Sequence, residues 1–327
     1  MSYKKWLMTT LSLILLPLIL VAGFNYYIDP LWNFNHANRY NRIQASFDER
    51  QQKTNRVNFG RFDYDTLILG SSRVTYISQY DFTGHRAFNY AVSNMLLDEY
   101  YDYVEYAKLK NGRDFDYIIL GLDFYNTNKN LKREFHEPAF YINKSNEPAY
   151  RYKTLLSTDV LKYSWQNFKA SKAGIPQNFA YDRSNVKTLN IVLQKEKAAK
   201  INATLDKYRR DLYSHYEYTD VKGILTKLKQ SNPHTKFIVF TTPAAEPLFE
   251  LMKEQGLYPY YQRWLSDCAD IFGELYNFMG PNTITANLDN YYDASHIYPQ
   301  IGTLLAHKIT GCPDTRIPAD FGLKLKK

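Results

Sequence analysis

Two polar segments, far apart in the chain, carry residue types that together could perform nucleophilic chemistry. The first, Gly70–Arg73, reads GSSR and directly follows the apolar run Thr66–Leu69. The second, Asp293–His296, reads DASH. An aspartate three residues before a histidine can orient one imidazole nitrogen, while the other nitrogen takes the proton of a serine hydroxyl. Either segment alone has ordinary structural explanations, but together they predict a Ser-His-Asp site.

A parallel sheet is the element that could bring these two segments together. Short apolar runs that end in glycine are typical of strands buried on both faces, and open α/β sheets place their chemistry just beyond the carboxyl ends of such strands. Strands are predicted at Thr66–Gly70, Ala87–Val92, Asp116–Leu122 and Lys236–Thr242. Helices are predicted at Met95–Leu109, Ile224–Lys229, through most of Glu246–Phe278, and at Ile301–Ile309. This alternation predicts an α/β fold with helices on both faces of the sheet.

The N-terminal segment predicts a membrane anchor. Lys4 and Lys5 precede the charge-free run Trp6–Phe24, which as a helix would span about 28 Å, close to the thickness of a bilayer core. A cleaved signal peptide is the alternative, but the run is long for one and lacks a clear cleavage site. The flanking lysines predict a cytoplasmic N-terminus, and Asn25–Tyr27 supplies aromatic residues for the outer interface.

Composition and charge suggest how the remainder is organised. We predict a juxtamembrane stalk over residues 25–61, with a helix near Asn38–Asn58, and a catalytic domain over residues 62–327. The segment Thr127–Asp220 lacks a strong strand signal and carries 17 Lys and Arg against 10 Asp and Glu, which is most of the net charge of +8. We interpret it as a helical insertion, either a solvated one or a cap over the strand ends that favours anionic ligands.

Several other classes of site find no support in the sequence. The seven histidines lack the spacing of metal ligands, and no glycine-rich nucleotide-binding pattern occurs, so neither a metal nor another cofactor is predicted. No zinc-finger spacing or dense basic arm indicates nucleic acid. Cys268 and Cys312, the only cysteines, could form a disulfide outside the cell or remain unrelated thiols.

Four ordered blocks resemble those of the SGNH (GDSL-type) hydrolase superfamily. They are GSSR at Gly70–Arg73, N-x-x-x-x-N at Asn89–Asn94, GLD at Gly121–Asp123 and DASH at Asp293–His296. The resemblance implies a three-layer α/β/α fold with a flavodoxin-like parallel sheet. It also implies Ser72 as the nucleophile, His296 as the base and Asp293 as the residue that orients the base, with Ser71 in place of the family's aspartate.

The same resemblance assigns an oxyanion hole, from which this chain departs. The backbone N–H groups of Ser72 and Asn94 would be donors, and asparagine tolerates the left-handed backbone that the family's glycine uses. Asp123 stands where the family has an asparagine donor, and an ionised carboxylate would repel an oxyanion. Asp123 is therefore protonated, or turned away to pair with Arg73, or the hole has only two donors.

The anchor and the GSSR variant resemble one branch of that superfamily in particular: membrane-tethered SGNH-like proteins that act in O-acylation of bacterial envelope polysaccharides. The resemblance implies an extracytoplasmic O-acyltransferase or acylesterase at the bacterial cytoplasmic membrane. Its partners would be an acylated small donor or envelope polysaccharide, and a membrane-bound O-acyltransferase. The alternatives are a membrane-tethered lipid or carboxyl esterase and a non-catalytic scaffold, which Asp123 favours.

Overall fold

The computed structural model of the chain describes residues 2–175 and 177–327. Six strands form one sheet: β1 Thr66–Leu69, β2 Ala87–Asn89, β3 Tyr117–Leu122, β4 Lys236–Thr241, β5 Glu274–Asn277 and β6 Leu323–Lys326. The helices are α1 Tyr3–Ile28, α2 Glu49–Phe59, α3 Ser72–Thr75, α4 Tyr100–Asn111, α5 Pro138–Asn146, α6 Tyr150–Lys153, α7 Thr158–Ala173, α8 Gln194–Lys207, α9 Val221–Gln230, α10 Glu246–Glu254, α11 Tyr258–Phe272, α12 Thr283–Ala286 and α13 Pro299–Thr310.

The sheet has the strand order β2-β1-β3-β4-β5-β6, and every neighbouring pair is parallel except β5 with β6. The register pairs Leu67 of β1 with Ile118 of β3, and Ile118 in turn with Phe237 of β4. All of β1 and nearly all of β3 is buried, as their unbroken apolar runs predicted. The prediction of a mixed α/β chain built on a mostly parallel sheet is confirmed.

Two strands lie where the sequence did not predict them. β5 falls inside Glu246–Phe278, most of which was predicted to be helical, and β6 had no predicted counterpart. β5 is four residues long and buries only Leu275 fully, so it presents too short an apolar pattern to distinguish it from the end of α11. The signal that could have found this boundary is Gly273, whose positive φ of 87° ends α11.

Residue contacts divide the chain into two compact units. The first comprises the residues up to Phe62 together with Ala139–Ser184, and the second comprises Asp63–Pro138 with Asn185–Lys327. The sheet and every predicted site residue belong to the second unit. The segment predicted as one insertion, Thr127–Asp220, is thus shared between the two units. Cys268 and Cys312, both in the second unit, are free thiols.

The N-terminal helix α1 belongs to the first unit and fits either a single-pass membrane anchor or a signal sequence. It is 26 residues long and, among the described residues, it alone is long and apolar enough to cross a membrane. The apolar side chains before Asn25 are mostly exposed to the surroundings, whereas Asn25 and Ile28 near the end of the helix are buried. Pro17 lies inside the helix, which membrane helices tolerate.

A close contact at Gly121 seats α3 against the sheet and provides the first prediction. A Cβ atom at Gly121 would lie 2.3 Å from Val74 Cγ2 and 2.7 Å from Phe240 Cζ. We therefore expect Gly121→Ala to lower the free energy of unfolding by about 1–3 kcal/mol, the usual cost of an overpacked core. Gly280→Ala is the matched control, since its Cβ would approach nothing closer than 3.4 Å. Urea unfolding measures both, and equal losses would contradict this packing.

Candidate active site

The turn between β1 and α3 presents one of its two serines to the surface. Ser71 caps the start of α3, where its buried side chain accepts a hydrogen bond from the Arg73 backbone N–H (3.3 Å) and is hydrogen-bonded to Tyr125. Ser72 is the first residue of α3 and is only partly buried. Because Ser71 is occupied as a helix cap, Ser72 is the serine that remains available for chemistry.

Three of the predicted residues meet in one chain of hydrogen bonds. Ser72 Oγ lies 2.9 Å from His296 Nε2, although the two residues are 224 positions apart. On the other side of the ring, His296 Nδ1 lies 2.9 Å from Asp293 Oδ2. Tyr76 packs edge-on against the imidazole at a centroid distance of 5.7 Å, which restricts the ring orientation. This arrangement can transfer a proton from the serine hydroxyl to the imidazole.

The loop that carries Asp293 and His296 is built around the aspartate. Asp293 Oδ1 accepts hydrogen bonds from the backbone N–H groups of Ser295 (2.7 Å) and His296 (2.9 Å), as in an Asx-turn. Burial alone would raise the pKa of Asp293, but attraction to His296 and these hydrogen bonds outweigh it, so the pKa lies well below its usual range. Asp293 is therefore an ionised carboxylate at neutral pH.

Two lysines of helix α8 donate hydrogen bonds to the residues just before Asp293, contacts that the sequence did not reveal. Lys197 Nζ donates to the Tyr291 carbonyl oxygen, and Lys200 Nζ donates to the Tyr292 hydroxyl at 3.0 Å. Both tyrosines immediately precede Asp293. These lysines looked like part of a general positive charge, and no local motif distinguishes them from solvated lysines.

Asn94 occupies the loop that follows β2. Its φ of 50° is left-handed, a conformation that asparagine tolerates. Asn89 shapes the start of the same loop, because its side-chain amide donates to the carbonyl oxygens of Val74 (3.0 Å) and Ile77 (2.9 Å) and its Oδ1 accepts from the Ala91 N–H. This ties the loop to the chain that follows Ser72.

Asp123 is turned away into a buried ionic network. It is fully buried, with Oδ1 accepting from Thr242 Oγ1 at 2.5 Å and lying 3.5 Å from Arg73 Nη1. Asp123 therefore pairs with Arg73, which was one of the three alternatives for this residue. Asp123 Oδ2 is buried and has no hydrogen-bond partner among the described residues.

Arg73 joins this network to residues that the sequence did not single out. Its guanidinium donates to Thr242 Oγ1 at 3.0 Å and to the Tyr208 hydroxyl, and it packs over the ring of Tyr125. Burial alone would lower the pKa of Arg73, but the neighbouring Tyr208 hydroxyl and Asp123 carboxylate outweigh it, and the pKa lies above its usual value. Burial raises the pKa of Tyr208 to about 12. A full positive charge is therefore held one residue beyond the candidate nucleophile.

A cleft of about 420 Å³ opens at the Asn94 loop. Its walls include Asn94, Tyr125, Lys132, Lys207, Arg210 and His215. Asn94 Nδ2 donates to Glu134 Oε2 at 2.5 Å, and Glu134 Oε1 lies 3.7 Å from Lys207 Nζ. A five-residue π-helix, Tyr208–Leu212, follows α8 and lines the cleft. Its first residue, Tyr208, accepts the hydrogen bond from Arg73.

The comparisons with known proteins do not assign this site. A scan against protein-family models and a search of curated proteins find no match for the chain. Within residues 2–175 and 177–327, no group of three or more His, Cys, Asp or Glu side chains could hold a metal ion. The chemistry of the site is therefore argued from the side chains just described.

The Arg73–Asp123 pair provides a prediction about stability. Removing one member leaves the other as an uncompensated buried charge, so Arg73→Met and Asp123→Asn should each lower the free energy of unfolding by about 3–5 kcal/mol. The double variant should be more stable than the sum of the two losses implies, because it buries no unpaired charge. Urea unfolding of the four proteins measures this coupling. Strictly additive losses would show that the two side chains do not interact.

The depressed pKa of Asp293 provides a prediction about pH. Above about pH 4, the unfolded-state pKa of an aspartate, the ionised carboxylate should contribute about 2 kcal/mol of stability relative to Asp293→Ala. This difference in stability should disappear as the pH falls through the folded-state pKa, because the carboxyl group is then protonated in the folded state as well as in the unfolded state. Ser72→Ala, which removes no titratable group, is the control. A difference that persisted unchanged into strong acid would contradict the assignment.

Proposed function

We propose that the protein is a membrane-anchored, extracytoplasmic SGNH-like enzyme, an O-acyltransferase or acylesterase that acts on bacterial cell-envelope polysaccharide. The observation that carries the proposal is the pair of 2.9 Å contacts that joins Ser72 Oγ to His296 Nε2 and His296 Nδ1 to Asp293 Oδ2. A nucleophile, a base and a residue that orients the base are thereby in the order that acyl transfer requires.

The sheet supports the assignment to the SGNH superfamily. The order of its five parallel strands, 2-1-3-4-5, is that of flavodoxin-like, doubly wound folds, with β6 added at one edge. Ser72 follows β1, Asn94 lies in the loop after β2 and Asp123 directly follows β3. Three of the four resembling blocks therefore lie at the carboxyl ends of successive strands, where a doubly wound three-layer fold carries its site.

The proposed reaction has two stages. As Ser72 Oγ attacks the acyl carbonyl carbon of the donor, His296 Nε2 takes the hydroxyl proton, and the ionised Asp293 stabilises the resulting imidazolium. The tetrahedral intermediate collapses to an acyl-serine, and the leaving oxygen of the donor takes the proton from His296. In the second stage His296 deprotonates a sugar hydroxyl or water, whose oxygen attacks the acyl carbon. The bond from that carbon to Ser72 Oγ then breaks, Oγ takes the proton back from His296, and the acylated sugar or the free acid leaves.

Stabilisation of the oxyanion would rest on backbone donors. The Ser72 N–H is at the first position of α3, where the helix supplies no acceptor, and the Asn94 N–H belongs to the neighbouring loop. The side chain of Asp123 is held by Thr242 and Arg73 and provides no third donor. Loss of one donor usually costs roughly 100-fold to 1,000-fold in rate, which suits a transferase whose donor is held in place better than a fast hydrolase.

The substrate class is inferred from the cleft and the anchor. Three basic side chains (Lys132, Lys207 and Arg210) and two acidic ones (Glu134 and Asp211) line a cleft that reaches the Asn94 loop, so the acceptor would be a polar polymer rather than an apolar one. If α1 is an uncleaved anchor, the enzyme remains at the membrane surface, where envelope polymers and a membrane-bound acyltransferase partner are found.

One observation favours a second candidate, a non-catalytic scaffold. Asp123 replaces the asparagine expected by resemblance and is committed to a structural network. A scaffold has no need of a serine within hydrogen-bonding distance of an oriented histidine, and for that reason we rank it second.

Acyl-serine formation tests the proposal. With p-nitrophenyl acetate, the full chain in detergent should give a burst of nitrophenolate and an acetyl group on the peptide that contains Ser72, detected by mass spectrometry. Ser72→Ala should abolish both, and Asp293→Asn should slow the burst by about 1,000-fold to 10,000-fold.

Ser71→Ala is the informative companion variant, because it removes the neighbouring hydroxyl without touching His296. It should still acquire the acetyl group on Ser72. An adduct on Ser71, or a Ser72→Ala protein that reacts like the unmodified chain, would refute the proposed nucleophile. An absence of burst and adduct in the unmodified chain would favour the scaffold.

A further inference from the structure

Helix α7 carries a stripe of basic and aromatic side chains on its outer face. Lys162, Trp165, Lys169 and Lys172 are spaced i, i+3, i+7 and i+10, so they lie along one side of the helix, and all four are exposed. Trp165 is 52% exposed, and the Lys169 ammonium lies 5.9 Å from the centre of its ring. The stripe therefore places three ammonium groups and one half-exposed indole ring on a single side of α7.

The neighbouring side of α7 packs against the end of α1, within the first compact unit. Ser164 Oγ donates to Asn25 Oδ1 at 2.8 Å, and Asn25 Nδ2 donates to the Leu155 carbonyl oxygen at 2.9 Å. Phe24 contacts the ring of Phe168 at 5.9 Å and that of Trp165 at 6.3 Å between centroids. The α7 stripe is thus fixed at the point where α1 ends.

The length of α1 determines where that point lies. The charge-free run Trp6–Phe24 spans about 28 Å and so fills a bilayer core of about 30 Å. If α1 crosses a bilayer, Phe24 is at the outer boundary of the hydrocarbon, and any side chain that touches Phe24 lies at the level of the lipid headgroups. Trp165 touches Phe24, and tryptophan is the residue most suited to that level.

The charge of this segment matches an anionic lipid surface. Residues 139–184 carry seven Lys and Arg against three Asp and Glu. Basic residues beside a membrane helix are attracted to anionic headgroups, and an apolar ring between them adds insertion into the interface. Leu156, beside the Leu155 carbonyl that binds Asn25, is also more than half exposed.

We propose that the outer stripe of α7, with Leu156, is a membrane-contact surface that lies on the anionic phospholipid headgroups of the bilayer crossed by α1. Trp165 enters the interface, and Lys162, Lys169 and Lys172 pair with headgroup phosphates. This proposal requires α1 to be a membrane anchor and is independent of the chemistry at Ser72.

The four tryptophans of the chain make a direct test possible. Trp32 and Trp264 are 2% and 0% exposed, whereas Trp6 of α1 is 51% exposed. In a Trp6→Phe variant, Trp165 is therefore the one well-exposed tryptophan. This full-length variant is reconstituted into phosphatidylcholine vesicles that contain phosphatidylglycerol, with lipids brominated either near the headgroup or near the chain end.

We expect lipids brominated near the headgroup to quench the tryptophan fluorescence of the Trp6→Phe variant more strongly than lipids brominated near the chain end. The quenching should be lost when Trp165→Phe is added. Shallow quenching should also fall when phosphatidylglycerol is left out, and this dependence on lipid charge should be lost in a variant with Lys162→Gln, Lys169→Gln and Lys172→Gln. The matched control carries Lys195→Gln, Lys253→Gln and Lys326→Gln, which change exposed lysines of the second unit, and should retain it.

Two outcomes would overturn the proposal. If aqueous acrylamide quenches the fluorescence of Trp165 and neither lipid label does, the stripe faces water. Trp165 that is shielded from both lipid and acrylamide would indicate a protein contact instead. Carbonate extraction of the same vesicles separately reports whether α1 is inserted, and the acetylation of Ser72 is measured in detergent, so failure of this surface is distinguishable from failure of the catalytic proposal.

Discussion

Parallel pairing of β1 with β2 and β3, and of β3 with β4, is the constraint on which the site depends. Parallel strands end at the same edge of a sheet, so the residues after β1, β2 and β3 are gathered there despite the intervening chain. Ser72 starts a helix directly after β1, and the loop of His296 returns to the same edge from 224 residues away. Gly121 permits this arrangement, since a side chain there would occupy the space of Val74 on α3.

The buried pair of Arg73 and Asp123 has a cost that the fold must offset. Taking both charges out of water is unfavourable, and the pair is only partly satisfied, because Asp123 Oδ2 lacks a partner among the described residues. Thr242, Tyr208 and the face of Tyr125 supply the additional contacts. The pair fixes the residue next to Ser72 to the ends of β3 and β4. It also neutralises the negative charge of the Asp123 carboxylate, which would otherwise repel an oxyanion in the proposed reaction.

The sequence predicted those features that depend on local patterns. The apolar runs of β1 and β3 identified buried strands. The resemblance assigned the nucleophile to Ser72 rather than Ser71, but the physical reason, that the Ser71 hydroxyl caps α3, required coordinates. The features missed were long-range contacts. They are the hydrogen bond between Tyr208 and Arg73, the hydrogen bonds from Lys197 and Lys200 to the residues before Asp293, and the pairing of β5 with β6. A lysine that will bind a carbonyl oxygen 94 residues away has the same local sequence signal as one that faces water.

Tyr125 lines the cleft and contacts both Ser71 and Arg73. Asn94 is a second residue that belongs both to the cleft wall and to the predicted site. Its backbone has the left-handed conformation expected for an oxyanion donor, while its side chain is bound by Glu134, which in turn lies beside Lys207. Lys207 is the last residue of α8, and the next residue, Tyr208, accepts a hydrogen bond from Arg73. A ligand that displaced Glu134 from Lys207 would therefore act on the Asn94 loop from one side and on the Arg73 network from the other. The cleft and Ser72 are thus connected through the contacts of Asn94, Glu134, Lys207, Tyr208 and Arg73, and this connection is why the proposed acceptor is assigned to the cleft.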